Sequence, residues 1–111
     1  MPQASLETTT QATADGSVIS LRGEIDAGAK DALGVAYDGV PHAGRLLLDF
    51  GGVQYINSTG IALIVGLLAR ARAEGQQVAA IGLSDHYRQI FEITRIADFM
   101  EILDDQQEGN G

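Results

Sequence analysis

The chain has 111 residues, 45% of them hydrophobic, and a formal net charge of −8. That length suits one domain with a real core, and the acidic balance argues against a nucleic-acid surface and against adsorption to anionic lipid. No cysteine is present, which removes disulfides, thiolate metal sites and cysteine nucleophiles and fits a reducing cytoplasm.

No basic stretch followed by an apolar run opens the chain, so no signal peptide is expected. The most apolar segment, Ile61 to Ala69, falls well short of the about 20 residues that cross a bilayer. Ser5 to Thr13 is threonine-rich and reads as an edge strand. Asp15-Gly16 is a tight-turn signal, and Val18 to Arg22 alternates as a strand, so the two segments predict a hairpin. Gly23-Glu24-Ile25-Asp26 reads as a turn, with Asp26 capping a helix over Ala27 to Tyr37. Gly28 and Gly34 weaken that helix, and Leu33, Ala36 and Tyr37 share one of its faces.

After a loop at Gly39 to Gly44, Arg45 to Phe50 forms a nearly unbroken apolar run. It predicts a central strand buried on both faces. Gly51-Gly52 and a short apolar loop lead to Asn57-Ser58-Thr59, three helix-capping residues in a row. A helix over Thr59 to Glu74 follows, with Leu63, Ile64, Leu67, Leu68 and Ala71 at helical spacing and Gly75 as its stop. Gly66 inside it costs roughly 1 kcal/mol against alanine, which predicts close packing at that point. Gln77 to Ile81 reads as a short buried strand. Ser84 caps a helix from Asp85 to about Thr94, with Tyr87, Ile90, Phe91 and Ile93 or Thr94 inward. Phe99 to Leu103 reads as a last strand, and residues 104–111 as an acidic, polar, frayed tail. The alternation predicts an α/β fold: one domain over 1–111 with its core at about 15–103, and a central mixed sheet with helices packed mainly on one face.

Little of this is catalytic in character. His42 and His86 lie far apart without an acidic cluster, so no metal site is expected. Ser58 has neither a Gly-x-Ser-x-Gly elbow nor a placed base, which disfavours a small hydrolase. Neither a dinucleotide fingerprint nor a phosphate-binding loop is present, and no cofactor is expected. Asn57-Ser58-Thr59 matches a glycosylation sequon, read as accidental without a secretory signal. Two readings of the triplet stay open. Asn57 or Ser58 simply caps the helix, or Ser58 carries a phosphate where unpaired N–H groups and the helix dipole favour negative charge. Glu24, Asp26, Asp31 and Asp38 are either a solvated face with one cap or, with Asn57, a polar docking surface.

Three motifs carry a family resemblance. Val18 to Asp26, ending Gly23-Glu24-Ile25-Asp26, resembles the Gly-Glu-Leu-Asp signature of STAS domains. Asp49 to Ile61 resembles their more specific second motif, which reads Asp-Leu-x-x-Val-x-x-Ile-Asp-Ser-Ser/Thr-Gly-Leu, and Ile90-Phe91-Glu92-Ile93-Thr94 resembles the later Phe-Glu-Leu-Thr segment. The chain resembles a stand-alone bacterial anti-sigma-factor antagonist. The resemblance implies that the unphosphorylated form binds a partner that is both anti-sigma factor and serine kinase. That partner phosphorylates Ser58, with Thr59 secondary, and a metal-dependent serine phosphatase restores the active form. It implies that Asp26, Asn57, Ser58, Thr59 and Gly60 lie on the docking surface of a monomer or weak dimer. The alternative it offers is a constitutive scaffold or adaptor, in a stressosome-like or lipid-transport assembly, with Ser58 only capping. This chain departs from the motif at Asn57, where the family has Asp, and at Arg95, where Gly is common after the Thr. It also ends soon after Leu103, so the terminal helix of many members is expected to be short or absent.

Overall fold

The computed structural model describes residues 6–103. The tail read at 104–111 and the first residue of the edge strand, Ser5, lie outside them. A two-residue turn, Ala14-Asp15, one position ahead of the Asp15-Gly16 signal, joins β1 (Leu6–Thr13) to β2 (Gly16–Ile25) as an antiparallel hairpin. A 3-10 turn (Ala27–Ala29) and α1 (Lys30–Asp38) lead to β3 (Arg45–Ile56), α2 (Ser58–Ala73), β4 (Gln77–Ile81), α3 (Asp85–Ile93), a second 3-10 turn (Ile96–Asp98) and β5 (Glu101–Ile102). The sheet order is β1-β2-β3-β4-β5, and every pair after the first is parallel. Crossovers that step the same way along a sheet, each right-handed, place their helices on one face. The expected mixed sheet with helices on one side is therefore what forms.

Burial follows that layering. Ile19, Leu21, Leu46, Leu48 and Phe50 alternate inward and meet Leu33, Tyr37, Ile64, Leu68 and Phe91 from the helices. Leu47 and Asp49 are only half-buried, so β3 is not buried on both faces as its apolar run predicted. On that other face Leu47 stands in register between Val18 of β2 and Ala79 of β4.

Both central strands run further than expected. β2 continues through Gly23-Glu24-Ile25 and β3 through Gly51-Gly52 to Ile56, pairing Arg22 to Ile25 with Gly52 to Ile56 across two register shifts. Glycine disfavours strands, which predicts a turn or loop in each segment; their mutual pairing overrides that preference. The Asp49 carboxylate accepts from the Gly51 N–H at 2.8 Å, steadying the bend.

The C-terminal quarter also differs in detail. Phe91 is buried, but Ile93 is 79% exposed and Thr94 is exposed as well, so neither of the two residues expected inward there joins the core. The last strand shrinks to Glu101–Ile102, and Phe99 lies exposed under the Arg72 guanidinium, 5.0 Å from its ring centroid. Arg95 sits in the left-handed region at φ 70, which is why glycine suits this position. Arg95→Gly is expected to stabilise the fold by about 0.5–1 kcal/mol, read from urea unfolding midpoints.

Gly66 corrects another expectation. A β-carbon there meets nothing within 4 Å, so packing does not demand the glycine. Gly66→Ala is expected to raise stability by about 0.5–1 kcal/mol, measured by thermal unfolding.

Candidate functional site

The ends of β2 and β3 lie side by side, and each feeds a helical turn. Asp26 follows β2 in extended conformation, and its Oδ1 accepts from the Gly28 N–H at 2.9 Å. It caps the 3-10 turn that precedes α1, so the helix read from Ala27 begins at Lys30. One strand over, Asn57 follows β3, also extended, and its Oδ1 accepts from the Gly60 N–H at 2.8 Å. The Asn57 N–H donates to the Ile25 carbonyl at 3.2 Å, tying the two corners together.

That geometry decides which residue caps α2. Asn57 does so, and Ser58 becomes the first helical residue with its hydroxyl free of the role. Ser58 and Thr59 are exposed, while Asn57 and Asp26 are half-buried. No acidic residue occupies the first turn of α2, where N–H groups lack intrahelical partners.

Gly60 is buried, not displayed. A β-carbon there would lie 1.8 Å from the Ile25 carbonyl oxygen and 2.6 Å from its carbon. Only glycine allows α2 to start this close to the end of β2. Among the residues the sequence singled out, Gly60 therefore sets the position of Ser58 from beneath.

Two residues at this corner escaped the sequence reading. Tyr55, 50% exposed, pairs across the strands with Glu24 and stands beside the turn. The Tyr87 hydroxyl of α3 accepts from the Ile56 N–H at 2.9 Å and anchors the end of β3. The β-branched and aromatic residues Val53, Tyr55 and Ile56 are a strand signal for the first; Tyr87 gives no signal beyond its helical face.

The acidic residues separate. Glu24 and Asp26 lie at the corner, whereas Asp38 ends α1 and pairs with Arg70 at 2.7 Å. Asp31 is exposed in the first turn of α1. The histidines lie elsewhere. His42 bonds the Glu74 carboxylate and the Tyr37 carbonyl and stacks on the Tyr37 ring; burial, then Glu74, pushes the Tyr37 phenol up. His86 packs edge-on against Tyr87. Among the described residues no three His, Cys, Asp or Glu side chains group to hold a metal ion, and no helix is long and apolar enough to cross a membrane.

The fold has counterparts in known proteins. The family model described as "Mlab, STAS domain" matches residues 8–104. The chain belongs to the STAS domain family. This STAS domain is 36% identical over 97 residues to a protein of Listeria monocytogenes named anti-sigma-B factor antagonist, covering 84% of this chain and 83% of the relative. Its fold matches an anti-sigma factor antagonist from Mycobacterium paratuberculosis with a TM-score of 0.66 at 22% identity, over 91% of this chain and 87% of that one. It also matches the Bacillus cell fate determinant SpoIIAA in its phosphorylated form, with a TM-score of 0.63 at 17% identity, over 94% of this chain and 97% of that one.

Proposed function

We propose that this STAS domain is an anti-sigma-factor antagonist, a regulator and not an enzyme, switched by phosphorylation of Ser58. The observation that carries the reading is the exposed Ser58 hydroxyl at the first position of α2, released from capping by Asn57. Unphosphorylated, the corner of Asp26, Asn57, Ser58 and Thr59 docks an anti-sigma factor that is also a serine kinase. In the kinase step the Ser58 oxygen forms a bond to the γ-phosphorus of ATP. The β–γ bridge breaks, ADP leaves, and the serine proton passes to the kinase. The phosphate adds about −1.5 to −2 charge. Unpaired N–H groups and the dipole of α2 accommodate it within the fold. In a close interface the same charge and bulk block docking. A metal-dependent serine phosphatase resets the chain.

Asn57 bears directly on this reading. Asparagine and aspartate cap about equally, so Asn57→Asp is expected to change stability by less than about 1 kcal/mol, dipole included. Its effect belongs to recognition: a kinase that reads a carboxylate before the serine phosphorylates Asn57→Asp faster than the parent. An intact-mass time course on both forms measures this. Absence of phosphate on either, beside an active kinase control, would leave a constitutive scaffold.

A further inference from the structure

We propose that the outer edge of β1 is a self-association surface, pairing antiparallel with β1 of a second copy of this chain. β1 is the sheet's edge: β2 lies on one side, and no strand among the described residues lies on the other. It runs for eight residues, against two for β5 at the opposite edge. Such an edge exposes a row of unpaired N–H and C=O groups, and proteins usually blunt it with proline, lysine, a bulge or charge. Leu6-Glu7-Thr8-Thr9-Thr10-Gln11-Ala12-Thr13 contains no proline, lysine or arginine. Its pairing with β2 runs without a register shift, and its one charge, Glu7, is held by Arg22 of β2 at 3.1 Å.

The turn determines which backbone groups are free. Thr13 pairs with Gly16 across a two-residue turn, and residues flanking such a turn form a hydrogen-bonded pair. Alternation then directs the main-chain groups of Glu7, Thr9, Gln11 and Thr13 to β2, and those of Leu6, Thr8, Thr10 and Ala12 outward. A two-fold partner engages all four outward residues in one register: Leu6 opposite Ala12, Thr8 opposite Thr10, and Thr9 beside its own copy at the axis. In that register Glu7 faces Gln11, threonine faces threonine, and no like charges meet. The strand is complementary to itself, which makes a second copy the occupant. The same axis sets α1 beside its twin. Val35, 72% exposed, lies on the side of α1 away from α2, since Lys30 and Gly34 line the groove between those helices. One strand pair plus Val35 falls below the about 1,200 Å² of a standard interface, and each copy carries −8. The association is weak and strengthens with salt, which screens the repulsion.

The chain has no cysteine, so Thr9→Cys introduces a lone thiol. The axis places its α-carbon about 4.5 Å from its twin, within disulfide range. Gln11→Cys, on the same face, would lie about 13 Å from its twin. Thr9→Cys is expected to oxidise to a covalent dimer at least tenfold faster than Gln11→Cys. Sedimentation is expected to show parent dimers that increase with salt and vanish in Thr10→Pro, whose missing N–H points out of the fold and leaves its melting midpoint near the parent's. Should Thr10→Pro fail to fold, Thr9→Lys, which sets like charges at the axis, must raise the dimer dissociation constant at least tenfold. Equal oxidation of the two thiols, a monomeric parent at about 1 mM in high salt, or an unchanged constant in Thr9→Lys overturns the proposal.

Discussion

Ser58→Asp is expected to fold as the parent does and to bind the anti-sigma kinase at least roughly 30-fold more weakly, about 2 kcal/mol. A carboxylate at the first position of α2 faces N–H groups without intrahelical partners, so the folded state tolerates or gains slightly from it. The first turn holds no other acidic residue to repel it. A docked partner supplies no such compensation, since it must desolvate the charge within a close contact. Ser58→Ala separates the roles of the hydroxyl. Asn57 keeps the cap, so the alanine variant stays folded, binds the partner and takes no phosphate. Isothermal titration with both variants, next to urea unfolding of each, measures binding and stability independently. Tight binding by Ser58→Asp would exclude a charge-driven switch.

Gly60→Ala is expected to cost about 3 kcal/mol of stability, a large share of the 5–15 kcal/mol typical of a domain. The added carbon would sit 1.8 Å from the Ile25 carbonyl oxygen, a contact that backbone alone must relieve. Moving α2 away lengthens the bond from the Asn57 N–H to that same carbonyl and displaces Ser58 with it. Partner binding should therefore fall with stability, although Gly60 has no side chain for a partner to touch. The urea midpoint of Gly60→Ala against the parent measures the loss. A midpoint equal to the parent's would mean that the corner is not held by this contact.

Local chemistry carried much of the architecture. The hairpin at Asp15, the periodic face of α2 and the cap at Ser84 are set by neighbours in sequence and form as expected, while the Asp26 cap forms on a 3-10 turn ahead of α1. What was misread depends on distant partners. Gly51-Gly52 continue a strand because Arg22 to Ile25 pair with the residues around them. Ile93 faces outward although helical spacing allowed it inward. At the site, three adjacent residues had cap chemistry, and the choice of Asn57 over Ser58 came from where β3 ends, two residues before Ser58. The demand for glycine at position 60 came from Ile25, far away in sequence, and was invisible until the strands were placed.

The most direct measurement is phosphorylation mapped to a residue and coupled to binding. The parent chain is incubated with a cognate anti-sigma serine kinase and ATP, its intact mass followed over time, the modified residue located by fragmentation, and complex formation assayed before and after. The account predicts one phosphate at Ser58, none on Ser58→Ala, and loss of the complex as the phosphate accumulates. A parent chain left unmodified beside an active kinase control, or one phosphorylated at Ser58 that binds as tightly as before, would contradict it.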